Sequence, residues 1–195
     1  MADTNTMQEA LFEEITARIK PDDTSVPARY GQSEYWSEYR EGLEYPIYKR
    51  RDLGGQNPTV ILDVNELAAP FDYYAVSAVD VSDDGQWLAY AEDTVSRGEY
   101  VLRIKNLKSG DTLDTKIPMV SSAVAWGSDN KTVYYVRLQE ETLIPFQVYR
   151  HTVGSDGSDD VKVFEEKDST YYLWLSRTRD GNHIQLTSSS TLSTE

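Results

Sequence analysis

The chain has two histidines, His151 and His183, and no cysteine, so nucleophilic or acid–base chemistry would have to be built from serine, histidine and carboxylates. A serine hydrolase of the α/β type sets its nucleophile on a Gly-x-Ser-x-Gly elbow between a strand and a helix, and no such pentapeptide occurs. Gly154-Ser155-Asp156-Gly157 comes nearest, but it lacks the spacing and its polar surroundings read as a hairpin loop. The histidines fall in stretches that read as strands, about thirty residues apart and with no carboxylate at a supporting spacing, which does not make a metal site. Carboxylates gather near glycine at Asp80 to Asp84 and at Asp156 to Asp160. Neither run has the ligand series ending in a bidentate Glu that a calcium loop needs, and both read as solvated turns. Glu165-Glu166-Lys167-Asp168 reads as a charged connector, and neither a Gly-rich phosphate loop nor a basic aromatic stripe is found. Residue chemistry alone therefore assigns no catalytic, cofactor-binding or metal-binding residue and calls for no cofactor.

The elements around these residues are more regular than the residues themselves. From Ala78 to Asp114, Val79, Val81, Trp87 and Ala89 alternate with polar positions around a Ser82-Asp83-Asp84-Gly85 turn, the pattern of two half-buried strands in a hairpin. Tyr100, Leu102 and Ile104 make a third strand, and Lys108-Ser109-Gly110-Asp111 turns the chain toward a short fourth one near Leu113. The opening of this unit returns at Ser121 to Arg137 around Ser128-Asp129-Asn130-Lys131, and again at Tyr171 to Ser188 around Arg179-Asp180-Gly181-Asn182. Asp84, Asp129 and Asp180 recur 45 and 51 residues apart. Four-stranded units at such a period are the signature of propeller blades, with a β-sandwich as the competing architecture.

Upstream, Thr6 and Glu9 have capping-box spacing, and Leu11, Phe12, Ile15 and Ile19 follow at helical intervals, which predicts one amphipathic helix over 7–19, stopped by Pro21. Turns at Tyr30-Gly31-Gln32-Ser33 and Arg40-Glu41-Gly42 then separate short strands, Val60-Ile61-Leu62 closes a first blade, and Asp63 is placed to cap a helical turn through Ala68. The reading is an all-β fold: an N-terminal helical segment over 1–22, then an incomplete β-propeller over 23–195. It holds about three and a half four-stranded blades, near 26–63, 78–115, 121–165 and 171–195. Three and a half is fewer than the four to eight blades that usually close a ring, so the last blade is expected to leave an unpaired edge and an open apolar face.

Fourteen Tyr and four Trp against four Phe suit half-buried strands. A net charge of −14 argues against nucleic acid and anionic membrane as partners and favours basic peptides. The N-terminus lacks the basic-then-apolar pattern of a secretory signal and no run reaches the length of a membrane span, so a cytoplasmic chain is expected.

Several segments also resemble a known family. Arg18-Ile19-Lys20-Pro21-Asp22-Asp23-Thr24-Ser25-Val26-Pro27, Tyr45-Pro46-Ile47-Tyr48-Lys49-Arg50-Arg51, Ile61-Leu62-Asp63-Val64-Asn65 and Val148-Tyr149-Arg150-His151 look like the N-terminal part of oligopeptidase B, in the prolyl oligopeptidase group of serine peptidases. Leu88-Ala89-Tyr90, Val124-Ala125-Trp126 and the 165–168 connector share the likeness, which runs from about Leu11 to Glu195. It implies a propeller that caps an α/β-hydrolase domain, admits short basic oligopeptides and leaves cleavage after Arg or Lys to a Ser, Asp, His triad in that hydrolase domain. None of the triad has a counterpart here, so no catalytic residue is carried over, and the hydrolase domain is the implied partner. Two departures stand out. The stretch before Leu11 is shorter than is usual in the family, and Gly31-Gln32-Ser33-Glu34 stands where a more aromatic, Gly-rich turn is common. Two alternatives remain: a free-standing propeller-like interaction module without catalytic activity, and a hydrolase half carried on a separate polypeptide.

Overall fold

Antiparallel strands make up nearly half of the chain, as the alternation predicts. The computed structural model describes residues 4–194, and their contacts divide the chain into two compact units, Met1–Leu67 and Ala68–Glu195.

The first unit opens on helix α1 (Asn5–Thr16). It starts and stops earlier than the expected 7–19, and Thr4, not Thr6, holds the N-cap position. Thr6 and Glu9 thus lie within the helix, where they cannot form the expected box. The Thr16 hydroxyl donates back to the Phe12 carbonyl (2.8 Å), and Arg18 and Ile19 N–H groups close tighter three-residue turns, ending the helix before Pro21 is reached. The apolar stripe is uncovered in this unit: Met7, Phe12 and Ile15 keep 60–68% of their surface exposed.

Behind it, β1 (Asp23–Thr24), β2 (Ala28–Tyr30), β3 (Ser33–Tyr39), β4 (Ile47–Asp52) and β5 (Thr59–Asp63) form one antiparallel sheet. Its order is β1-β3-β4-β5, with β2 also pairing β3. Gly31 at φ +58° makes the two-residue turn that sets Tyr30 opposite Ser33. Across β3 and β4, Glu34 meets Arg51 at 2.5 Å and Glu38 meets Lys49. Asp63 Oδ1 accepts the Asn65 N–H at 2.9 Å and starts α2 (Val64–Ala68), as the sequence indicates.

The second unit contains β6 (Ala75–Val81), β7 (Trp87–Asp93), β8 (Tyr100–Asn106), β9 (Ile117–Trp126), β10 (Thr132–Leu138), β11 (Pro145–Thr152) and β12 (Val161–Glu165) in one sheet, in sequence order. A separate hairpin holds β13 (Tyr172–Arg177) and β14 (Ile184–Ser189). The unclosed sheets are those of a partial propeller, and one expected strand is displaced. Near Leu113 there is an isolated bridge, Lys105 to Thr112, flanked by two backbone bonds, from the Asn106 N–H to Asp111 and from the Leu113 N–H to Ile104. The fourth strand of blade two is instead the start of β9, where Ile117 faces Leu102 and Val120 faces Tyr100. The cause is length: the turn at Gly110 leaves only a short polar stretch before Pro118, whereas β9 supplies apolar residues on both sides of a bend. Met119, at φ +57°, makes that bend, after which Val124 to Trp126 pair with β10 as the first strand of blade three.

Strands in this stack bury both faces. Tyr135 of β10 lies in a core with Leu102, Ile104, Ile117, Val120 and Trp126. Its neighbour Val136 points the other way, into a core with Ala123, Val148, Leu173 and Leu175. Period-two alternation with two apolar faces is what lets one blade pack against a neighbour on each side.

Candidate functional site

The first hairpins of blades two, three and four turn by the same chemistry. Ser82, Gly127 and Thr178 each donate a backbone N–H to the carbonyl five residues on, at Trp87, Thr132 and His183, over 2.8–3.0 Å. Gly85, Asn130 and Gly181 each bond back to that starting residue at positive φ, between +57° and +72°. The aspartate between them is what the turn requires: Asp84, Asp129 and Asp180 accept the N–H two residues on, from Gln86, Lys131 and Asn182, at 3.0–3.1 Å. The hydroxyl of Thr178 and the Asn182 amide hold the Asp180 carboxyl down at about 2. The same aspartates that mark the period in the sequence therefore build the turns.

These turns then reach one another. Asp84 N–H donates to Asn130 Oδ1 at 3.0 Å, tying blade two to blade three. The Asp80 carbonyl accepts the indole N–H of Trp126 at 3.0 Å, and its carboxylate accepts the Trp126 backbone N–H at 3.3 Å. Arg177, which also donates to the Gly181 carbonyl, meets Asp83 through two parallel bonds of 2.7 and 2.6 Å, linking the hairpin of blade four to that of blade two. The first strands β6, β9 and β13 are neighbours in that order, as strands nearest a propeller axis are. Burial pushes the Asp80 carboxyl up to about 6, against the opposing pull of the Trp126 N–H and Arg177. Asp80 to Asp84 is accordingly only in part the solvated run that was expected: Asp83 and Asp84 are exposed, while Asp80 and Ser82 are covered, and the run as a whole clasps neighbouring blades.

The other candidates sort as follows. Ser155 Oγ donates to the Thr152 carbonyl at 2.8 Å, so the 154–157 segment is loop, as read. Neither imidazole is hydrogen-bonded to a serine hydroxyl among the described residues. His183 lies just before β14, not within a strand. His151 is fully buried on β11, and its Nδ1 donates to Asp160 Oδ1 at 2.7 Å. Asp160 Oδ2 accepts the Tyr135 hydroxyl at 2.9 Å, and burial together with the Asp160 charge drives the Tyr135 hydroxyl pKa upward. The second acidic loop thus also ends in a buried carboxylate, with 3% of the Asp160 side chain exposed. His151 does have a carboxylate, nine residues along and brought back by the hairpin, while its Nε2 is buried without a hydrogen-bond partner. Among the described residues no group of His, Asp and Glu stands ready to hold a metal ion.

Such an arrangement braces and orients; among the described residues it sets no serine hydroxyl against an imidazole. The profile described as "Prolyl oligopeptidase, N-terminal beta-propeller domain" matches residues 1–195. The chain belongs to that family. Dipeptidyl aminopeptidase BI of Pseudoxanthomonas mexicana is 36% identical over all of this chain and 29% of its own length. Protease 2 of Moraxella lacunata is 33% identical over 96% of this chain and 28% of its own length. Among solved structures, oligopeptidase B from Leishmania major superposes with a TM-score of 0.89 at 26% identity, over 96% of this chain and 27% of that one. Oligopeptidase B from Trypanosoma brucei, in a closed form with covalently bound antipain, shares the fold at 0.85 and 23% identity. The chain spans under a third of the length of these relatives. As a prolyl oligopeptidase propeller it carries the blades and their clasps, and the relatives extend well beyond the part it matches.

Proposed function

We propose that this propeller domain caps and supports an α/β-hydrolase domain in a serine oligopeptidase that cleaves short peptides after Arg or Lys, in the cytoplasm. The observation that carries the proposal is the whole-chain likeness to the propeller of oligopeptidase B at a TM-score of 0.89. Rigid blades around an axis exclude folded proteins by size, and a net charge of −14 concentrates basic peptides near them, an attraction that salt weakens. The expected hydrolase domain is the partner; nucleic acid and membranes are not. Among the described residues no helix is long and apolar enough to cross a membrane.

The name of the 36% identical relative favours a second reading, removal of dipeptides from an N-terminus. Assay of the enzyme that carries this domain separates the two. Cleavage of an N-blocked Arg-Arg fluorogenic peptide supports the first, and cleavage restricted to unblocked dipeptide substrates supports the second. The 195-residue chain alone is expected to turn over neither, and turnover that survives purification would overturn its assignment as a cap.

A further inference from the structure

A cavity of about 600 Å³ opens between blades two and three, lined by 114–118 and 156–158, with Tyr135 and Arg137 of β10 also in its wall. Its size falls in the range of small-molecule sites. Arg137 is the unusual member. Arg51, Arg103 and Arg177, half-buried like it, each hold a carboxylate. Arg137 does not: among the described residues it makes no ion pair, and its guanidinium lies 5.8 Å from the centre of the Tyr149 ring. Its donors are not sealed off either, since the buried nitrogens without partners are those of Arg103 and His151.

The ring that holds this guanidinium is itself held. Tyr149 stacks on Tyr135 at 5.7 Å and 14°, and Tyr135 is pinned through Asp160 to the buried His151. An oriented planar guanidinium with open donors in a cavity wall is suited to bidentate recognition of a carboxylate. The lining also contains Lys116, a second cation, and two carboxylates, Asp114 and Asp156, the latter kept ionised by the Ser158 N–H. Two anions in the wall of an acidic protein repel phosphate and other polyanions; they complement a molecule that carries an ammonium group as well as a carboxylate.

We propose that this cavity binds a short zwitterionic peptide, its terminal carboxylate on Arg137 with Lys116 contributing and its ammonium group facing Asp114 and Asp156. The proposal rests on residues of this chain alone, so it stands or falls independently of the function proposed above.

The test is titration of the 195-residue chain with glycyl-leucine, glycyl-leucinamide and inorganic phosphate, followed by calorimetry and by amide chemical shifts. Saturable binding of glycyl-leucine is expected, with shifts centred on 114–118 and 156–158. The amide, which lacks the carboxylate, should bind at least about tenfold more weakly. Arg137→Gln should weaken glycyl-leucine by about tenfold or more, and Lys116→Gln, at an exposed position that leaves the fold intact, by several-fold. Failure of glycyl-leucine to saturate, equal binding of the amide, unchanged affinity in either folded variant, or tighter binding of phosphate than of the dipeptide would each overturn the proposal.

Discussion

Blades two and three are joined through the backbone, because β9 pairs with β8 at one end and with β10 at the other. The β13–β14 hairpin has no such ladder to its neighbours. It is held by Leu173 and Leu175 packed on Ala123, Val136 and Val148, by the Arg177–Asp83 pair, and by a Ser188 hydroxyl bond to Glu166. Its first turn repeats the hydrogen bonds of the other two, yet among the described residues its attachment runs through side chains, with no strand ladder to a neighbour. Equivalent sequence repeats can thus be bound into a fold by different means, and the side-chain means are the ones a point mutation can remove.

The largest expected effect follows from that contrast. Leu175→Ala should cost about 2–5 kcal/mol of local stability, read as faster amide exchange confined to β13 and β14. Leu102→Ala, in the laddered core, should lower the melting of the whole second unit by a similar energy. If exchange in β7 and β13 rises together in Leu175→Ala, the hairpin is not a separate cooperative element.

Asp80 sharpens the comparison from the other side. Its carboxyl is raised from 3.8 to about 6, so the folded state favours the protonated form. Stability from this group is complete below the unfolded value and is lost as pH climbs through about 6. Asp80→Asn should therefore flatten the pH dependence in that window and stabilise the protein at pH 8 by up to about 3 kcal/mol, measured by denaturant melts against the parent. An unchanged pH profile would show that the site is wetter than its packing implies. A smaller loss, about 1–2 kcal/mol, is expected for Trp126→Phe, which leaves the Asp80 carbonyl without its indole donor. Smallest is Arg177→Gln. With Asp83 40% exposed, the pair should contribute no more than about 1 kcal/mol, with exchange rising in β13 and not in β9.

How much of this could be read from the chain depended on the distance over which each interaction acts. The turns at Asp84, Asp129 and Asp180 were legible because an aspartate bonding two residues ahead is local chemistry, and so was Asp63 at the start of α2. The fourth strand of blade two was misplaced at Leu113 because alternation does not reveal that a strand can bend and serve two blades. Arg177 and Asp83 are 94 residues apart, and nothing in the sequence around either announces the other. Asp160 and His151 are close in sequence, but a run rich in serine, glycine and aspartate reads as solvated until the hairpin folds its last carboxylate inward.

The bend at Met119 carries a consequence for synthesis. As the polypeptide leaves the ribosome, the ten residues Ile117–Trp126 both seal the rim of the second blade and offer the template on which the third begins. The second blade thereby delivers the primer for the third, so this step of assembly can advance in the direction of translation without waiting for a distant partner.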